Sequence, residues 1–165
     1  MSRTLPTFPN GARVAVIVSL LLESWSEGKS PSYFPRTTPL KGGQIDRAGA
    51  RWSEYGGKEG IWRLLKMVDD RGMRASVFAN ALAAERFPEA IRQIAKSGHR
   101  VQGHGYAQDQ YLMDFKPEEQ RALIGKCLDI LEEKSGTRPD GWVTPVYGGD
   151  QHTTGFLIEE KLQWH

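Results

Sequence analysis

The 165-residue chain has a single cysteine, Cys127, and only four histidines. One thiol cannot close an internal disulfide, and such sparing use points to a reducing, cytoplasmic setting. No block of lysine or arginine stands out. The 22 basic and 20 acidic side chains nearly cancel to a formal charge of +2, which argues against a nucleic-acid partner. The longest apolar run, residues 14–22, falls short of the roughly 20 residues that a membrane span requires. Arg13 precedes it as in a signal peptide, but Glu23, Ser24 and Trp25 follow with no small-residue cleavage pattern. Several chemical signatures are absent too: no P-loop, no dinucleotide fingerprint, no HExxH and no GxSxG. GHGYAQ, at 103–108, lacks the Lys/Ser completion and the glycine spacing of a phosphate cradle.

What is present is a strand–helix rhythm. The run VAVIVSLLL has no polar alternation and is rich in β-branched residues, which predicts a strand buried on both faces. Pro31, Pro35 and Pro39, with Gly42, Gly43, Gly56 and Gly57, predict a long irregular connection of the kind used for lids and binding loops. Ile61, Leu64, Leu65 and Val68 then fall on one helical face, and Gly72 is placed as a stop. MRASVFAN predicts a second strand. A helical region follows over 81–97, with Pro88 opening its second part. HRVQGH is a third strand, and Pro117, Glu118 and Glu119 begin a long helix, with Leu123, Cys127, Leu128 and Leu131 inward and Gly136 at its end. GWVT predicts a fourth strand, TTGFLIEEK a helix and LQWH the start of a fifth strand. Repeated strand–helix–strand units predict an α/β fold with parallel strands in one domain over 1–165, cut short as a piece of a longer protein.

Parallel sheets place ligand-binding loops at the carboxyl ends of their strands. Glu23, Asn80, His104 and Thr144 all fall at or just past such ends. His104, between two glycines, suits proton transfer or substrate polarisation; its bland alternative is a histidine satisfied by hydrogen bonds in a turn. Glu23 is either a solvated loop residue or a carboxylate poised as a general base. Asp109 is expected to cap the segment after it. His99 lies at the far end of its strand and is expected to be structural. His152 is expected at a helix entry or on the surface, and Cys127 in the core. Tyr106 and Tyr147 are candidates for an apolar wall beside the site, whereas Trp142 is expected to pack in the core.

The order of these pieces resembles the polysaccharide deacetylase family. That family includes deacetylases of chitin oligomers and peptidoglycan, and relatives that open cyclic amides such as allantoin and cyclic imides. The resemblance rests on the apolar strand before Leu21-Leu22-Glu23, on YGGKEGIWRLLKMVDDRGMRASVFA, on SGHRVQGHGY and on SGTRPDGWVTP. The stretches EYGG…GIWRLL and GWVT are most similar to the allantoinase and cyclic imide hydrolase branch. It implies a distorted (β/α) barrel, cut short here after about five strands.

The family's first motif pairs two acidic residues, a general base and a metal ligand; these fall on Leu21 and Glu23. Its second motif has two metal-binding histidines, which fall on His104 and Gln108. The resemblance therefore implies a site that has lost its usual base and one imidazole. The expected activity is hydrolysis of a non-peptide C–N bond in a small cyclic amide, imide or ureide, with no metal or other cofactor. Glu23 and His104 are the expected catalytic residues, and Tyr106, Gln108, Thr144 and Tyr147 the substrate-binding ones. A small-molecule substrate is the expected partner, with no nucleic acid or membrane; a homo-oligomer is left open. The alternatives are a zinc-dependent carbohydrate N-deacetylase with an altered ligand set, and a non-catalytic descendant that binds carbohydrate.

Overall fold

A computed structural model describes residues 8–31, 33–34 and 41–165, apart from the Tyr147 side chain. Of the expected long connection, Pro35 and Pro39 lie outside the described residues. Three parallel strands lie in chain order: β1 (Val18–Leu22), β2 (Ala75–Ala79) and β3 (Arg100–Gly103). The register aligns Leu22 with Ala79 and Ala79 with Gly103, so the three strands end level. Isolated parallel bridges, Gly103 to Trp142 and Gly141 to Trp164, carry the sheet direction onward. The expected fourth and fifth strands are thus single bridges among the described residues.

One face of the sheet is closed by helices. Val18, Leu20, Leu22, Ala75, Val77, Ala79 and Val101 pack against Ile61, Leu65 and Val68 of α2 (Ile61–Asp69) and Ile91 and Ile94 of α4 (Pro88–Lys96). Leu64, expected on that helical face, stands half out in solvent, because the buried stripe follows Ile61, Leu65 and Val68. The other face carries Ser19, Ser76, Phe78, Arg100 and Gln102 around an open cleft of about 570 Å³. This corrects the expectation of a first strand buried on both sides. Only Val18–Leu22 is strand, and Ile17 and Leu21 remain 82% and 56% exposed. An all-apolar run reports hydrophobicity but cannot report which face the rest of the structure covers.

From residue 41 onward the connection after β1 is more regular than its glycines suggest. α1 (Arg47–Tyr55) begins at Asp46, whose carboxylate accepts from the Gly49 N–H at 2.8 Å. A π-type turn over Gly56–Gly60 then leads directly into α2. Gly57 is a packing glycine: an added Cβ would lie 2.3 Å from the Phe87 ring. Phe87 also separates α3 (Ala81–Arg86) from α4, where Pro88 takes the first helical position. The long helix α5 (Pro117–Ser135) ends at Gly136, whose φ of 79° is the left-handed stop that glycine adopts without strain. The last helix is α6 (Thr153–Glu159). Among the described residues no helix is long and apolar enough to cross a membrane.

Cys127 sits in the second core cluster with Ala81, Leu112, Ile124, Leu128, Trp142 and Leu157. Burial pushes its thiol up to about 12, above the roughly 8.5 of an exposed cysteine, so native Cys127 stays protonated at pH 8.5. A disulfide reagent at that pH is expected to label the folded chain at least about 100-fold more slowly than the urea-unfolded chain. Equal rates would place this residue outside the core.

Candidate active site

The site is assembled from the level carboxyl ends of the three strands. Glu23 follows β1, Asn80 follows β2 and His104 follows β3. Backbone bonds weld the histidine turn in place. The His104 N–H donates to Ala79 O at 3.1 Å, and Gly105 O and Tyr106 O accept the first N–H groups of α3 from Ala81 and Leu82. Those helix-terminal donors would otherwise lack intrahelical partners. Gly105 has φ of 68°, and a Cβ there would lie 2.8 Å from the Pro145 ring, so both backbone and space demand glycine.

Asn80 is the concealed organiser. As the residue before α3 it would be read as an N-cap, yet its side chain makes no cap bond. Instead its Oδ1 accepts from the Ser24 N–H at 2.9 Å and its Nδ2 donates to His104 O. A fully buried amide thus ties the end of β1 to the end of β3. Its position at a strand end is visible in the sequence; its tying role is not.

His104 and Glu23 meet across this tie. The imidazole is 3% exposed, with Nε2 3.3 Å from Glu23 Oε1 and Nδ1 2.6 Å from Val143 O. A carbonyl oxygen only accepts, so Nδ1 carries a hydrogen. In the neutral ring Nε2 is then an acceptor facing an acceptor carboxylate. The contact becomes a hydrogen bond when one proton sits between the two groups, on Glu23 or on a doubly protonated His104. Such a pair can hold one proton between its two atoms.

The other expected site residues are placed less uniformly. Leu21 and Glu23 line one cleft of about 420 Å³ whose walls are Trp25, Tyr33, Trp52 and Tyr55. Gln108 is anchored beside it, its N–H donating to Ser24 O at 2.8 Å, and its side-chain Oε1 is buried without a partner. Thr144 lines a separate cleft with Trp142, Asp150 and Thr153, and its Oγ1 accepts from the Trp142 indole N–H at 3.1 Å. Tyr106 is held elsewhere: its hydroxyl donates to Glu85 at 3.0 Å and its ring lies under the Lys126 ammonium, 4.6 Å away. Tyr147 lies on a short 3-10 turn, Pro145–Tyr147, but its side chain is outside the described residues. Asp109 accepts from the Ser26 N–H at 2.8 Å, so it braces the loop after β1 and not the segment that follows it. His152 is exposed at the start of α6, stacked on Phe156. His99 is buried, its Nδ1 accepting from the Ala75 N–H and its Nε2 facing Asp69.

The donor set does not fit a catalytic zinc. Such a site normally takes three protein ligands from His, Cys, Asp or Glu. Among the described residues no three such side chains gather. Glu23 and His104 supply two; Leu21 supplies hydrocarbon, Gln108 a neutral amide, and the Asp109 carboxylate is engaged with Ser26. Trp25, Tyr33, Trp52 and Tyr55, which line the Glu23 cleft, are not among the residues expected there from the sequence; their density in the connection after β1 is the signal that marks them.

Comparison with known proteins agrees with this architecture. A peptidoglycan deacetylase-like protein FGM2 from Gibberella zeae is 31% identical over 119 residues, 67% of this chain and 35% of that protein. A peptidoglycan deacetylase from Helicobacter pylori is 26% identical over 110 residues, covering 67% of this chain and 37% of that protein. The chain therefore spans about a third of the length of these curated relatives. Among solved structures, the Puue allantoinase superposes with a TM-score of 0.79 and 28% identity, covering 96% of this chain and 56% of that one. A probable polysaccharide deacetylase from Pseudomonas aeruginosa PAO1 gives 0.72 and 31%, covering 87% and 50%. The family model described as polysaccharide deacetylase matches residues 53–162, from α1 through α6 and the histidine turn, and by that match the chain belongs to the polysaccharide deacetylase family.

Proposed function

We propose that this chain belongs to a hydrolase that opens a small cyclic amide, imide or ureide without a metal. The observation that carries the proposal is the Glu23–His104 pair: Nε2 and Oε1 lie 3.3 Å apart, with Nδ1 committed to Val143 O. With the proton of the pair on His104 Nε2, the Glu23 carboxylate takes a proton from water as the water oxygen bonds to the ring carbonyl carbon and the carbonyl electron pair moves onto oxygen. The oxyanion is met by His104 and by backbone N–H groups of the histidine turn. As the tetrahedral intermediate collapses, the ring C–N bond breaks, and the proton held by the pair passes to the departing nitrogen. The product is an open chain with a new carboxylate. The likeness to an allantoinase over nearly the whole chain supports a cyclic ureide or a related ring as substrate. Cytoplasmic placement belongs to the same proposal and rests on the lone cysteine.

A second reading, metal-dependent N-deacetylation of a carbohydrate, draws on the deacetylase names of the curated relatives and on the unpartnered Gln108 Oε1. One experiment separates the two. The full protein is assayed on hydantoin, dihydrouracil, succinimide and allantoin, and on N-acetylglucosamine oligomers, before and after chelation. The expected result is ring opening that survives chelation. Acetate release from the oligomers that disappears with chelator and returns with zinc would replace the first reading by the second.

A further inference from the structure

The walls of the Glu23 cleft are more than proton transfer requires. Trp25, Tyr33, Trp52 and Tyr55 surround Leu21 and Glu23. The rings brace one another: Trp25 meets Tyr33 edge-on at 6.5 Å, and Tyr33 meets Trp52 edge-on at 6.2 Å. The Tyr55 hydroxyl accepts from Arg63 at 2.9 Å, which fixes that wall. Trp25 is buried, whereas Tyr33, Trp52 and Tyr55 keep 65%, 47% and 49% of their surface in solvent. Large aromatics gathered in the open around one carboxylate mark a surface kept for a ligand.

The chemistry of the lining narrows that ligand. Among the described residues lining the cleft none is basic and Glu23 is acidic, so there an anionic group finds repulsion and no anchor. A cation would pair with Glu23 and take away the base. Among the described residues polar partners are scarce. The Ser53 hydroxyl already donates to Ala50 O at 2.8 Å, and the Tyr55 oxygen is held by Arg63. A polyhydroxylated sugar would leave hydroxyls desolvated and unpaired here, each at a cost, whereas a flat ring with one or two polar atoms would not. Burial and the Glu23 charge push the Tyr33 phenol above its ordinary range, so it remains a neutral hydrogen-bond donor.

We propose that this cleft is a ring subsite, in which Trp52 and Tyr33, set edge-on to each other, meet one the face and the other the edge of an uncharged ring whose carbonyl carbon lies beside Glu23. The proposal rests on the ring-opening function and adds the residues that select its substrate. Calorimetric titration of the full protein tests it with 2-imidazolidinone, a flat uncharged cyclic urea resistant to hydrolysis. N-acetylglucosamine and tetramethylammonium serve as the sugar and cation probes. The cyclic urea is expected to bind most tightly. Trp52→Ala and Tyr33→Leu should each weaken it about tenfold, roughly the loss of one stacking wall, and Trp52→Phe should restore most of the affinity. Unchanged affinity in Trp52→Ala and Tyr33→Leu, or tighter binding of either other probe to the wild type, would overturn the ring subsite. Cyclic-urea binding that responds to these variants, in a protein that opens no ring of the substrate panel, would keep the subsite and overturn the hydrolytic function on which it rests.

Discussion

Glu23→Gln is expected to lower ring-opening turnover by about 10²–10⁴-fold, the usual contribution of a positioned general base. The substitution keeps the shape of the side chain and its ability to contact His104 Nε2, because a glutamine amide N–H can donate to the Nε2 lone pair of the neutral ring. It removes the one function an amide cannot supply, acceptance of a proton from water. KM should change little, since the aromatic walls and Leu21 are untouched. Steady-state kinetics on the wild type and variant, with circular dichroism to confirm the fold, check the expectation. A variant within threefold of wild-type turnover would remove Glu23 from the chemistry and leave His104 without its partner.

The second large effect is expected at Asn80, whose side chain is fully buried. Asn80→Ala leaves two buried backbone groups, the Ser24 N–H and His104 O, without their partner. At roughly 1–3 kcal/mol for each buried group left unsatisfied, the loss is about 2–6 kcal/mol of folding stability, measurable by urea denaturation. A purely structural role would end there. A positioning role makes a further demand: at a temperature where the variant is still folded, turnover should fall by about tenfold or more while KM holds, because the tie that keeps Glu23 and His104 in contact is gone. Asn80→Asp sharpens the distinction. It retains the acceptor for Ser24 but sets a carboxylate oxygen against His104 O, so turnover should remain impaired. Full activity in folded Asn80→Asp would mean that the strands alone set the geometry of the pair.

Much of the fold is legible in the chain because it is written in local periodicity. Ile61, Leu65 and Val68 recur at helical spacing, Pro88 stands where a proline can open a helix, and Gly136 stands where a helix must stop; each is a short-range rule that the chain obeys. Asp46 and the aromatic-rich segment around α1 obeyed local rules as well. The neighbouring prolines and glycines hid them, since a packing glycine such as Gly57 is spelled like a flexible one.

By itself the sequence determined the parallel α/β order, the strand ends on which Glu23, Asn80 and His104 stand, and the family, because these depend on residue type and spacing along one dimension. Only the tertiary structure decided the partners. It aimed Nε2 of His104 at Glu23 by committing Nδ1 to Val143, 39 residues away, and it spent the Asn80 amide on two strand ends instead of a helix cap. It turned Tyr106 toward Glu85 and Lys126, and it gathered Trp25, Tyr33, Trp52 and Tyr55 around Leu21. Hydrogen bonds and ring contacts are chosen by proximity and direction in three dimensions, and pairs this distant along the chain share no local pattern from which the choice could be read.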